Sequence, residues 1–210
     1  MQVIVKKPTI CSNISDILQA QQLETPMRET SIMSREQKVQ KIASHMAEIL
    51  ETLDLDLNDE SIRDTPMRVA KMYVNELFNG MNTEAFPSIT TFALKDPTEV
   101  TQNNIPFTST CEHHLMPFFG VAHITYYSKD RVIGLSKLNR IVEFYAKRPQ
   151  VQERLTKQVQ RALQYVLATE HVSVTMEAQH FCIQARGVNQ KGSSTITKEA
   201  GGKYREMAKL

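Results

Sequence analysis

A thiol, a carboxylate and two imidazoles fall in consecutive positions in Thr110-Cys111-Glu112-His113-His114. Cys111 and His114 have the C-x2-H spacing, which brings both side chains to one side of a single turn. A thiolate with an imidazole suits a zinc ion. Two ligands do not hold that ion, so a third must come from elsewhere in the chain. The chain has two further cysteines: Cys182 lies beside His180 in Gln179-His180-Phe181-Cys182, whereas Cys11 has no histidine near it. Cys111, His114 and Cys182 would make a three-ligand site with an open fourth position, the pattern of catalytic zinc. A closed structural site would take its fourth ligand from His113, His180 or Glu112, and spacing leaves that open. Taken alone, Cys111 with His114 reads equally well as packed or surface residues. The second cysteine–histidine cluster favours a metal.

The rest of the composition narrows the class. A chain of 210 residues, 41% hydrophobic and 23% charged, can bury one sizeable core or carry a domain with an N-terminal extension. Its net charge of +2 argues against a nucleic-acid surface, so any basic site is local. Three cysteines with no paired framework point to a reducing compartment, the cytoplasm. The apolar Val-Ile-Val near Met1 is too short for a signal peptide. No run approaches the ~20 apolar residues of a membrane span, and no membrane partner is expected.

Residues 1–33 are polar and weakly periodic, which predicts a partly mobile extension with one short helix around Ile14–Gln21. A helical region over 34–83 follows. Ser34 with Gln37 has capping-box spacing, and Val39, Ile42, Ala43, Met46, Ile49 and Leu50 recur at helical period. Asp64-Thr65-Pro66 opens a second helix that ends at Gly80. On it Arg68 and Lys71 share a face, which by spacing alone reads as a solvated basic edge. From residue 84 to 200 strands dominate: Ile89–Phe92, Ile105–Thr108, Phe118–Tyr127 and Arg131–Leu135, read as antiparallel hairpins.

Ser136 is expected to cap a helix over Lys137–Lys147. Lys137 and Arg140 would then add positive charge to free backbone N–H groups that already favour anions. Exposed cations on a helix are the plainer reading. Arg148-Pro149 interrupts this helix, and a long apolar stripe runs on from Val151 to Ala168, with Gln152 and Glu153 in its first turn. Glu153 either favours the positive helix end or accepts two N–H bonds from a guanine edge. Val172 to Arg186 alternates as a strand pair or one bent strand, whose second half would put His180, Cys182, Gln184 and Arg186 on one face. Ser193–Thr197 predicts a last strand, and residues 201–210 a short loose tail.

Five of these stretches together resemble the GTP cyclohydrolase I family. They are Asp64-Thr65-Pro66-Met67-Arg68-Val69-Ala70-Lys71, Ser109–His114, Gly134–Arg140, Arg148–Leu155 and His180–Gly187, in the family's order and separations. The likeness covers roughly residues 36–200. It implies an α+β tunnelling fold: a four-stranded antiparallel sheet with two helices on one face, preceded by a helical region and assembled into a toroidal homodecamer. It also implies conversion of GTP and water to 7,8-dihydroneopterin triphosphate and formate. On that resemblance Cys111, His114 and Cys182 are zinc ligands, and His113 and His180 are acid/base histidines. Glu153 anchors guanine, with Gln152 as a further substrate contact. Lys137, Arg140 and Arg186 hold the triphosphate, joined by Arg68 and Lys71 of another subunit. Ser136 serves the later sugar rearrangement. Ser128 stands where the family commonly has proline, and the chain ends short of the family's helical tail. Two other readings remain: a deazaguanine nitrile reductase of the same fold, which needs a nucleophilic cysteine and no zinc, and a zinc-stabilised binding protein without turnover.

Overall fold

A computed structural model describes residues 3, 4, 7–28 and 33–208, and parts of the expected 1–33 extension and of the C-terminal tail lie outside those residues. The chain divides into two compact units, residues 26–79 and residues 1–25 with 80–210.

The smaller unit is helical. Helices α1 (Lys7–Ala20) and α2 (Arg35–Thr52) precede α3 (Thr65–Met72) in the chain, and α2 and α3 belong to this unit. The expected capping box is present: the Ser34 hydroxyl accepts from the Gln37 N–H, and the Gln37 side chain accepts from the Ser34 N–H. Val39 and Ala43 of α2 meet Ala70 of α3 in a small core. The second helix does not run regularly to Gly80. It loosens into a π turn over Tyr73–Leu77, with Phe78 as its C-cap.

The larger unit is built on sheets, so the described architecture is α+β. Strand β1 (Val3–Ile4) pairs with β2 (Thr90–Ala93), and β2 with β5 (Arg131–Ile133), in a three-stranded antiparallel sheet. The main sheet contains β3 (Thr98–Cys111), β4 (Pro117–Ser128), β7 (Val172–His180) and β8 (Thr195–Ala200), joined antiparallel in that order. A two-residue strand β6 (Pro149–Gln150) runs parallel to the end of β3, pairing Cys111 with Gln150. In β3 the register shifts between Gln102 and Ile105, where Asn104 takes a left-handed conformation at φ 56°. Asparagine tolerates that conformation better than most residues, and the bulge lets a 14-residue strand follow the twist.

Helices α4 (Leu135–Ala146) and α5 (Gln152–Leu167) cover one face of this sheet. Leu138, Ile141 and Val142 of α4 and Leu155, Val159, Ala162 and Leu163 of α5 are buried against Phe118, Ala122, Ile124, Val172, Val174 and Met176. Burying each Leu or Ile contributes on the order of 1.5–3 kcal/mol. Gly120 lets β4 lie close to β7, because a Cβ there would sit 1.8 Å from the Glu177 carbonyl oxygen.

Local readings of the sequence differ from the structure in several places. The N-terminal helix spans Lys7–Ala20, and Ile10, Cys11, Ile14 and Leu18 enter the core of the larger unit. Gly134 precedes the first turn of α4, and Ser136 provides no capping bond because the helix already starts at Leu135. The alternation over 172–186 stops at His180, where the chain winds into a single turn, α6 (Phe181–Gln184). The tail is not loose through residue 208. It forms a 3₁₀ segment, Gly202–Ala208, where the buried Tyr204 donates to Glu99. Among the described residues no helix is long and apolar enough to cross a membrane.

Candidate metal centre

The site gathers at one end of the main sheet, where β3 ends, β4 begins and β7 gives way to α6. Cys111 is the last residue of β3 and is buried. The chain then turns back at once: the Leu115 N–H donates to the Cys111 carbonyl at 2.8 Å, and the Cys111 N–H to that of Met116 at 2.8 Å. Leu115 pays for this tightness with a left-handed φ of 53°. Pairing with β6 clamps the same corner, the Glu112 N–H donating to the Gln150 carbonyl at 3.0 Å.

Both histidines of the turn come within 3.9 Å of the Cys111 Sγ through Nδ1, so the turn alone does not choose between them. Cys182 does. Placed in the single turn of α6, it joins Cys111 and His114 in a group whose ligand atoms all lie within 4.8 Å of one another. His113 is outside that group, with a side chain 64% exposed. Glu112 is engaged by Arg154, which also reaches Gln150 and the Pro149 carbonyl. Two sulfurs and an imidazole are the donor set zinc prefers. Ligand atoms on a tetrahedral zinc lie about 3.3–3.8 Å apart, given bonds of ~2.0–2.3 Å, so the cluster needs only a small contraction. Burial, and next the adjoining Cys111, push the Cys182 thiol pKa up. A cation between the two sulfurs reverses that effect.

His180 ends β7 directly opposite Phe118 in the antiparallel ladder, and the two rings stack at 4.6 Å with planes 5° apart. Its Nε2 lies 2.7 Å from the Gln152 Oε1, and burial lowers its pKa against an opposing pull from Glu153. Arg186 donates to the His114 Nε2 at 3.0 Å.

A family model described as GTP cyclohydrolase I matches residues 42–210. The chain is 50% identical to the GTP cyclohydrolase 1 of Aliivibrio salmonicida over 194 residues, 91% of this chain and 89% of that protein. It is 49% identical to the GTP cyclohydrolase 1 of Flavobacterium johnsoniae over 186 residues, 87% of this chain and 83% of the relative. The chain belongs to the GTP cyclohydrolase I family. That family is one of enzymes, which argues against the reading as a binding protein without turnover.

The remaining residues that the family resemblance singled out have these positions. Glu153 is exposed in the first turn of α5. Ser136 and Arg140 are exposed on α4, and Lys137 reaches Ser88 at 3.4 Å. Arg68 and Lys71 lie on α3 in the smaller unit, Arg68 paired with Asp64 at 3.5 Å. Gln152 is buried and hydrogen-bonded to its neighbours in the sheet and to His180 (below). Thr197, which the sequence reading passed over, is part of that same network, and no spacing pattern marks it.

Cys182 lies with His114 and not with His113, so different effects are expected when each histidine is removed. His114→Ala is expected to lose metal, whereas His113→Ala retains it and still binds GTP but turns over on the order of 10²–10⁴ times more slowly, the usual scale for a lost general acid or base. Metal content of the two purified variants decides this. Zinc kept by His114→Ala and lost by His113→Ala would reverse the roles.

Proposed function

We propose that this protein is a zinc-dependent GTP cyclohydrolase I, which converts GTP and water to 7,8-dihydroneopterin triphosphate and formate. The observation that carries this reading is the approach of Cys111, His114 and Cys182 to within 4.8 Å, at the corner where His180 ends β7 and α5 begins. Zinc held there supplies Lewis acidity that makes water a competent nucleophile near neutral pH.

Ring opening adds water at guanine C8, and a proton placed on N7 makes that carbon more electrophilic. His180 is the residue for that proton, and His113 serves later proton transfers as the formyl group leaves. Glu153 accepts two N–H bonds from the guanine edge, planar and charge-assisted. Lys137 and Arg140 near the start of α4 hold the triphosphate with Arg186, and Arg68 and Lys71 of another subunit complete the cradle. A ligating imidazole gives one nitrogen to the ion and carries hydrogen on the other. Ligation through either nitrogen therefore ends the Arg186 bond to the His114 Nε2 and frees that guanidinium for phosphate. Ser136 assists the rearrangement of the opened sugar.

The finer architecture belongs to the same proposal: the sheet of β3, β4, β7 and β8 with α4 and α5 is the protomer of a tunnelling fold, assembled as a toroidal decamer in the cytoplasm. The test is direct. Zinc-loaded protein given GTP is expected to release formate and a pterin that fluoresces after oxidation, both abolished by a chelator and restored by zinc. Loaded protein that binds GTP and yields no formate would sink the reading.

A further inference from the structure

Gln152 is 2% exposed, and each of its polar side-chain atoms is already committed. Its Nε2 donates to the Met176 carbonyl at 3.1 Å, the Thr195 carbonyl at 2.9 Å and the Thr197 Oγ1 at 3.1 Å. Its Oε1 faces the His180 Nε2 at 2.7 Å. The orientation of the amide follows from the partners. Two of the three groups around one end are backbone carbonyls, which only accept, so that end must be the NH₂. A flipped amide would set oxygen against two carbonyl oxygens in a dry pocket, with no hydrogen between them.

The hydroxyls fall into line with this. The Thr156 hydroxyl donates to the Gln152 carbonyl at 2.8 Å, so the 2.6 Å contact between the two threonine hydroxyls takes its hydrogen from Thr197. Thr197 is then left to accept from the Gln152 amide. Donors and acceptors close into one loop with a single consistent direction, and among the described residues the imidazole is the group that the Oε1 meets. An amide oxygen can only accept, so the His180 Nε2 carries hydrogen and its Nδ1 holds the lone pair. Phe118 stacked on the ring holds its plane.

We propose that Gln152 is a positioning residue rather than a substrate contact: backed by Thr197 and the β7 and β8 carbonyls, it holds the neutral His180 ring as the Nε2–H tautomer, so that Nδ1 is the atom that takes up a proton and, from the imidazolium so formed, passes it to the substrate. The inference rests on the proposed role of His180 for its consequence in turnover, but not for the tautomer itself. It replaces the substrate-binding role that the family resemblance suggested for Gln152.

Two measurements test it. Protein labelled with ¹⁵N in the histidine rings, loaded with zinc and read by solid-state NMR, should give His180 as one tautomer, assigned by its loss in His180→Ala. Thr197→Val loosens the amide, and Gln152→Met removes the acceptor. Each should convert the single signal to a tautomer mixture, and a single Nδ1–H tautomer in the wild type overturns the proposal whatever the protein does with GTP. In the assay, Gln152→Met should lower kcat on the order of 100-fold, the scale of a misplaced reacting group, with KM little changed. Added to His180→Ala it should cost almost nothing more, because it acts through that ring. A raised KM with full additivity would make Gln152 a substrate ligand. If Gln152→Met fails to fold, Thr197→Val carries the same comparison with a smaller loss.

Discussion

Cys182→Ser is expected to lose metal and activity together, while Cys11→Ser keeps both. Each cysteine is a free thiol, and the difference lies in where the fold puts them. Cys182 lies with Cys111 and His114 inside a 4.8 Å cluster, so its removal leaves two ligands, too few to hold zinc. The serine hydroxyl does not ionise near neutrality and is a poor substitute for a soft thiolate. Losing an outer-shell partner of a metal typically costs roughly 10–100-fold in affinity or activity, and losing a ligand should cost more. Cys11 is buried at 4% exposure among Ile14, Leu18 and the rest of the main core. Its replacement by Ser puts a hydroxyl in apolar surroundings at about 1–3 kcal/mol of stability, with no effect on metal content. Metal analysis of the dialysed proteins gives the answer, with about one zinc per chain expected for wild type and for Cys11→Ser. An empty site in Cys11→Ser would overturn the ligand assignment.

Arg148→Ala is expected to give the largest loss of stability. The Arg148 side chain is 7% exposed and donates from Nη1 to Glu24 at 2.6 Å, with Glu24 itself 17% exposed. Its Nε donates to the Gly80 carbonyl at 2.9 Å, and its guanidinium lies 4.8 Å from the Phe144 ring centroid and 4.7 Å from that of Tyr145. Truncation strands a mostly buried carboxylate, opens a gap between two aromatic rings and leaves the Gly80 carbonyl without its donor. Breaking a buried pair from one side costs about 3–5 kcal/mol. Glu24→Gln should cost less, because the amide oxygen placed at the Oε1 position still accepts from Arg148 and from the Thr25 N–H, while the NH₂ faces the Ser15 hydroxyl, which turns to accept. Denaturant unfolding of the zinc-loaded proteins orders the two. Equal losses would mean that charge, rather than the stranded partner, dominates.

Arg148 also illustrates how far the sequence could be read. Arg148-Pro149 is legible as a break between two helices, since Pro149 lacks an N–H and disfavours helix just before it. Nothing in the local pattern reveals that Arg148 turns inward to Glu24, more than a hundred residues earlier in the chain. The segment holding Glu24 is polar and weakly periodic by composition, and its order depends on that distant partner together with a core that accepts Ile14 and Leu18.

By itself the sequence determined the capping box of α2, the apolar stripes of α4 and α5, the strand character of β3 and β4, and the family resemblance. Each rests on period, on caps or on motifs, and those interactions reach only a few residues along the chain. It also singled out the three candidate ligands, because thiols and imidazoles are few and their chemistry is narrow. Only the tertiary structure decided that the alternation after Val172 ends at His180. Side-chain period cannot register that turn, since a strand and one turn of helix look alike over four residues. The winding of Phe181–Gln184 moves Cys182 off the face a strand would have given it and into reach of Cys111 and His114. The role of Gln152 was equally hidden. A glutamine in the first turn of a helix reads as a free polar group until β7 and β8 bring two carbonyls and a threonine hydroxyl to one end of its amide, and the other end is left with His180.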